Sequence, residues 1–248
     1  MAKNEDLYCL GVVPARGGSK GLPGKNLAQV GGKTLIRRAV ETALASGCCT
    51  RVLCSTDDVA IAAEARAAGA DVPFLRPAEL AGDTVPGVDV ILHAMAHVEM
   101  ELARTVDMVV VLQPTSPLRT AADVRATVEA MLRADPPADS AVSLVEATDA
   151  HPLWLRKIEN GIAVPYFDQG REPACRQELA SHGRPYRRNG AVYVVRRHVL
   201  LAERRVFGRR CAAYVMEPQR SIDIDSEYDL VCAQALWEHL MKRPEPPE

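Results

Sequence analysis

The chain has 248 residues, with 30 basic and 32 acidic side chains, a formal charge of −2, and 48% hydrophobic but only 4% aromatic residues. That length suits one large domain, or one domain with an elaboration, and is enough to bury a core without covalent staples. A near-neutral balance excludes a global basic field for nucleic acid or a membrane surface, and no stretch approaches the uninterrupted apolar length of a membrane span.

The first predicted element is an apolar strand at Leu7–Val13, which empties into the loop ARGGSKGLPGKN. Four glycines (Gly17, Gly18, Gly21, Gly24) are interleaved there with Arg16, Lys20, Lys25 and the hydroxyl of Ser19. Glycines permit positive φ and close backbone approach, successive free N–H groups can form an anion-binding nest, and cations beside such a nest suit a polyanion such as a nucleotide triphosphate. The established phosphate motifs do not fit. Gly32-Lys33-Thr34 could end a P-loop, but its first glycine would fall on Leu27, and the dinucleotide spacing fails from Gly17 or Gly18. A loop after the first strand is where open α/β sheets bind ligands.

Further strands are expected at Arg51–Ser55, Met108–Gln113, Ser140–Val145 and Ala191–Val195. Helices are expected at Thr34–Ser46, stopping at Gly47, then at Asp57–Ala68, Val88–Ala103, Ala121–Ala134 and Ser226–Met241. Thr120-x-x-Asp123 reads as a capping box, and Asp57 or Thr56 as a plain helix cap. This alternation, with near-continuous apolar strands, predicts a doubly wound, mostly parallel α/β sheet covered on both faces. Residues 147–188 break the rhythm and read as an insertion between core segments 1–146 and 189–241. The tail 242–248 is expected to be disordered.

Three clusters at strand ends carry candidate chemistry. In Gln113-Pro-Thr-Ser-Pro-Leu-Arg119, two prolines fix a turn while Gln113, Thr115, Ser116 and Arg119 offer donors for a ligand. Arg187 and Arg188 precede a strand and can meet a carboxylate or phosphate in bidentate fashion. In Ser221-Ile-Asp-Ile-Asp225, strand alternation puts Asp223 and Asp225 on one face, where two carboxylates can share a hard cation such as Mg2+. His93 and His97 lack a third ligand on their helix face and are not read as a zinc site. The seven cysteines form no Cys-x-x-Cys pair and are odd in number, so reduced thiols and a cytoplasmic location are expected. The N-terminus lacks the apolar core of a signal peptide.

Together, VPARGGSKGLPGKN (13–26), LRPAELAGDT (75–84), LQPTSPLR (112–119), RRNGAVY (187–193) and SIDIDSEYDL (221–230) resemble the acylneuraminate cytidylyltransferase family, in the family's order and across nearly the whole chain. The resemblance implies a Rossmann-like nucleotidyltransferase core and a homodimer whose 147–188 excursion reaches the partner subunit. It implies a nucleotide site of Arg16, Gly17, Gly18, Ser19, Lys20, Lys25, Asn26 and Arg76, with Lys20, Lys25 and Asp225 as catalytic residues. Gln113, Arg176, Arg187 and Tyr193 would face the acid acceptor, and Asp223 and Asp225 would hold Mg2+. The implied reaction transfers CMP from CTP to a sialic-type sugar acid with release of pyrophosphate. Trp154, where such enzymes often carry Lys, and the added cations Arg184 and Arg188 leave phosphonoformate open as an acceptor. A CTP-binding regulatory protein without turnover is the alternative from another class.

Overall fold

The computed structural model describes residues 7–148, 151–167, 173, 175–180 and 182–242. The apolar run after Leu7 forms β1 (Cys9–Pro14), whose side chains alternate between two cores. A short antiparallel ribbon follows, β2 (Gln29–Val30) with β3 (Lys33–Thr34), and then α1 (Leu35–Ser46), β4 (Arg51–Ser55) and α2 (Val59–Ala67). Next come α3 (Gly87–Leu102), β5 (Met108–Val111), α4 (Ala121–Leu132) and β6 (Ser140–Glu146). The 147–188 region contains a hairpin, β7 (Arg156–Glu159) with β8 (Ile162–Pro165), and the one-turn α5 (Arg176–Ala180). The chain then runs through β9 (Tyr186–Arg196), α6 (Arg197–Glu203), β10 (Cys211–Val215) and α7 (Glu227–Met241).

The central sheet has the order β10-β6-β9-β5-β1-β4. All neighbours are parallel except those of β9, which runs antiparallel to β5 and β6. Cys9 and Val13 of β1 join a core with α1, α2 and α4, while Leu10 and Val12 join a second core with α3 and α6. A third cluster, including Val30, Leu35, Ile224 and Ala233, seats α7 over the β2–β3 ribbon. A sheet filled on both faces explains why its strands read as continuous apolar runs.

Local chemistry sets the boundaries. The Thr34 side chain caps α1, accepting from the Arg37 N–H, and Gly47 ends the helix at φ 65°. The expected capping box of Thr120 and Asp123 opens α4. For α2 the cap is Asp58, not Asp57 or Thr56, since the Asp58 carboxylate accepts from the Ala60 and Ile61 amides. The segment expected as a strand at Ser221–Asp225 is irregular backbone leading into α7; with Ile224 N–H bonded to the Thr115 carbonyl at 2.8 Å, it follows the proline turn and does not join the sheet. Strand β10 and helix α6 were not anticipated, and β9 is longer than its apolar stretch suggests, starting at exposed Tyr186. Of the expected disordered tail, only Lys242 is among the described residues, as the C-terminal cap of α7.

Candidate active site

In a doubly wound sheet the ligand crevice lies beyond the carboxyl ends of the strands, and that is where the candidate residues meet. The loop after β1, the turn after β5 and the segment before α7 enclose a cleft of about 500 Å³. Its walls include Arg16, Ser19, Lys20, Lys25, Asn26, Arg76, Gln113, Asp223 and Asp225. Because β9 runs antiparallel, its N-terminal end also reaches this edge, and Gly190 touches the site. At φ 73° an added Cβ on Gly190 would stand 3.0 Å from both Asp223 Oδ2 and Gln113 Oε1.

The glycine-rich loop is braced by side chains as well as by backbone turns. Gly17 donates its N–H to Asp57 Oδ1 at 3.0 Å, and Asn26 Nδ2 donates to the Arg16 carbonyl at 2.8 Å. Only Gly24 of the four loop glycines has positive φ, at 67°. The expected nest is therefore corrected at Gly17, whose amide is already spent on Asp57, and Gly18 has open space where a side chain would sit. Gly21 is needed for a different reason: an added Cβ would run into the backbone carbonyl oxygen of Asp225. The cation loop thus rests directly on the aspartate segment, and Lys25 Nζ pairs with Asp225 Oδ1 at 3.0 Å across 200 residues of chain.

Asp223 and Asp225 differ sharply in environment. Burial pushes the Asp223 carboxyl up, as does the neighbouring Asp225 charge, while Thr115, Lys25 and Arg187 oppose the rise. Asp223 Oδ1 is buried without a hydrogen-bond partner among the described residues. Asp225 is largely exposed. An orphaned carboxylate oxygen beside a second carboxylate is a donor set that fits a hard cation, and Mg2+ completes its shell with water and phosphate oxygens. No group of three or more His, Cys, Asp or Glu that could hold a metal occurs among the described residues.

Arg119 and Ser116, expected to offer donors to a ligand, are instead structural. Arg119 is fully buried, with its Nη1 donating to the Gln113 and Ala191 carbonyls at 2.9 and 2.6 Å. Burial lowers its pKa to about 10. Ser116 is buried and donates to the Asn189 carbonyl at 3.1 Å. Arg76 borders the cleft while its guanidinium is tied to Ser55, with Nε donating to Oγ at 3.1 Å. Arg187 and Tyr193 lie outside the cleft wall but within the electrostatic reach of Asp223. The Tyr193 ring packs edge-on against Phe207, with centroids 5.4 Å apart. Arg176 belongs to α5, but its side chain lies outside the described residues.

A family described as Cytidylyltransferase matches residues 10–236 of this chain. The chain belongs to that family. Its relatives include the CMP-N,N'-diacetyllegionaminic acid synthase of Legionella pneumophila, 31% identical over 92% of this chain and 96% of that enzyme. The pseudaminic acid cytidylyltransferase of Campylobacter jejuni is 29% identical over 91% of this chain and 94% of its own length. An N-acylneuraminate cytidylyltransferase of Escherichia coli O18:K1:H7 is 29% identical over 90% of this chain, which spans 51% of that longer protein. Among solved structures, a CMP:2-keto-3-deoxy-manno-octonic acid synthetase complexed with CTP shares the fold, with a TM-score of 0.67 at 24% identity over 94% of this chain and 99% of that one. The present cytidylyltransferase is accordingly a CTP-dependent nucleotidyltransferase of the acylneuraminate type.

Four residues that the sequence reading had named only as caps or within motifs support this cytidylyltransferase site. Asp83 pairs with both Arg16 and Lys20. Asp57 braces the glycine loop. Buried Asp123 accepts from Arg220 Nη2 at 3.0 Å and so anchors the chain just ahead of Ser221. Asn189, also buried, donates to Ser221 Oγ at 3.0 Å and accepts from Ser143 Oγ at 2.7 Å. Only tertiary pairing shows which partner each of these residues meets.

Proposed function

We propose that this cytidylyltransferase transfers CMP from CTP to a sialic-type nonulosonic acid, releasing pyrophosphate. The observation that carries the reading is the meeting, in one cleft, of Arg16, Lys20 and Lys25 with Asp223 and Asp225. Near-full-length similarity to enzymes named for legionaminic and pseudaminic acids supports the acceptor class.

The side chains divide the work. Arg16, Lys20 and Lys25 offset the charge of the triphosphate and of the departing pyrophosphate, which is where negative charge builds in the transition state. Asn26 fixes the loop backbone through the Arg16 carbonyl. Gln113, on the rigid proline turn beside Gly190 and Asp223, orients the acceptor next to the α-phosphorus, with Arg176, Arg187 and Tyr193 on the acceptor side. Asp223 and Asp225 are the residues that would hold Mg2+. When bound there, the metal neutralises phosphate charge and helps acidify the attacking hydroxyl.

The same reading makes the protein a cytoplasmic homodimer that uses the 147–188 excursion as its arm. In support, the β7–β8 hairpin exposes Ile158 and Ile162 at 78% and 65%, an unusual display for a small soluble hairpin. All seven cysteines are free thiols, and no described helix is long and apolar enough to cross a membrane.

The test is pyrophosphate release from CTP and Mg2+ with a panel of acids: Neu5Ac, legionaminic acid, pseudaminic acid and phosphonoformate. Turnover with a nonulosonate is expected. Turnover with phosphonoformate alone, or tight CTP binding with no turnover on any acid, would overturn the acceptor assignment.

A further inference from the structure

Arg16 is half-buried and Lys20 exposed, yet both cations have a carboxylate partner. Both pair with the carboxylate of Asp83, Arg16 through Oδ1 and Lys20 through Oδ2, the latter at 2.5 Å. Asp83 comes from the opposite wall of the cleft, on the stretch between a short 3-10 turn at Ala78–Leu80 and the start of α3 at Gly87. Gly82 precedes it and Pro86 caps α3 without a side-chain bond. The backbone hydrogen bonds of this stretch among the described residues are local, such as Val85 N–H to the Gly82 carbonyl. Among the described residues, the two ion pairs tie this stretch to the glycine loop. Lys20, and with it Arg16, holds the Asp83 carboxyl below the usual carboxylate range. A carboxylate with one cation on each oxygen presents the charge and two-point geometry of a phosphate edge.

We propose that Asp83 is a positioning residue whose carboxylate stands in for a nucleotide phosphate, aligning Arg16 and Lys20 before CTP binds and giving way to it. This rests on reading Arg16 and Lys20 as the phosphate grip. The device has two consequences. Two like charges are kept ordered and oriented, so the grip needs little rearrangement on binding. Every polyphosphate must also compete with an internal anion, which weakens ground-state binding and speeds pyrophosphate departure. Release of Asp83 frees the 81–86 stretch, so the cleft mouth opens or closes with occupancy of the grip.

Removing the competitor therefore tightens binding, a gain that damage to the fold does not produce. The experiment is calorimetric titration of pyrophosphate into wild type, Asp83→Asn and Asp83→Ser, with melting curves for all three. Both variants are expected to bind pyrophosphate about three- to tenfold more tightly, the scale of two exposed ion pairs, and to show a lower KM for CTP together with a lower kcat. Unchanged or weaker pyrophosphate binding in variants that melt like wild type overturns the role of Asp83 and leaves the phosphate grip standing. Absence of pyrophosphate binding by wild type removes the grip itself, and this proposal with it.

Discussion

Arg220→Met separates the support of the site from its chemistry. In the native protein Arg220 donates to the wholly buried Asp123 through Nη2 at 3.0 Å and Nε at 3.3 Å. Its Nη1 also reaches Glu217 at 2.6 Å. Removing it leaves a buried carboxylate with Thr120 and Tyr214 as donors. Losing one partner of a buried pair costs about 3–5 kcal/mol. Partial exposure of Arg220 and the remaining neutral donors place the loss near the lower end, about 3 kcal/mol, or roughly 6–12 °C in Tm for a domain of this size. The pH dependence has a definite sign. Burial pushes the Asp123 carboxyl up, but the bonds from Arg220 and Thr120 outweigh it and hold the pKa below its usual value. A carboxylate lowered in the folded state stabilises above its unfolded pKa, near 4, and that contribution is lost as pH falls through the folded pKa. Without Arg220 the balance tips to burial, the folded pKa rises, and protonation on acidification relieves the variant. Thermal melts of both proteins from pH 7 to pH 4 should show a gap that is widest at pH 7 and narrows with acid. The aspartate segment should also shift, lowering kcat about ten- to hundredfold. A Tm gap that does not change with pH, or one below about 2 °C, refutes the account of Asp123 and Arg220.

Other outcomes follow from the cleft and its surroundings. Asp225→Asn should fold as wild type, because the side chain is largely exposed, yet lose most turnover; near-normal pyrophosphate release by this variant excludes the metal role. Gly21→Ala forces a Cβ against the Asp225 carbonyl. An overlap costing about 1–3 kcal/mol should appear as a KM for CTP raised roughly tenfold, and unchanged steady-state constants would show that the loop does not rest on that segment. Arg119→Leu strips the Gln113 and Ala191 carbonyls of their donor and should cost about 2–4 kcal/mol in urea unfolding; a stable variant with selectively weaker CTP binding would instead restore the ligand-facing reading. Cys54, whose thiol burial pushes up to about 12, should resist iodoacetamide at pH 8 while exposed Cys175 and Cys211 react, as judged by mass spectrometry of native protein.

What the sequence made legible depended on range. Local rules located β4 at Arg51–Ser55, the stop at Gly47 and the box at Thr120 and Asp123, because each depends on residues within a few positions of one another. The glycine loop and the paired aspartates stood out as candidate anion and cation binders from their own chemistry, and the fold brings them to one cleft. Strand alternation misread Ser221–Asp225, since the Ile224 N–H there is claimed by the Thr115 carbonyl and the Ser221 hydroxyl by Asn189, partners far away in the chain. Arg119 resembled a ligand donor because sequence carries no burial, and in the fold two carbonyls consume one of its nitrogens. Strand β10 escaped because its Cys-Ala-Ala-Tyr-Val edge is weakly apolar and alternates between exposed and half-buried positions. Asp83 was within a recognised motif, but its role depends on cations from across the cleft.

The contact between Lys25 and Asp225 has a consequence for biogenesis. Its two halves lie 200 residues apart, so a ribosome delivers Lys25 and its loop long before Asp223 and Asp225. A nascent chain can assemble most of the sheet and still lack chemistry until the segment before α7 has emerged and docked. Pairing at such separation is also slow to find, because the loop that must close is nearly the whole chain. Appearance of CTP turnover during refolding should therefore be the last event observed, and a chain ended before Ser221 should be silent however well its core is formed.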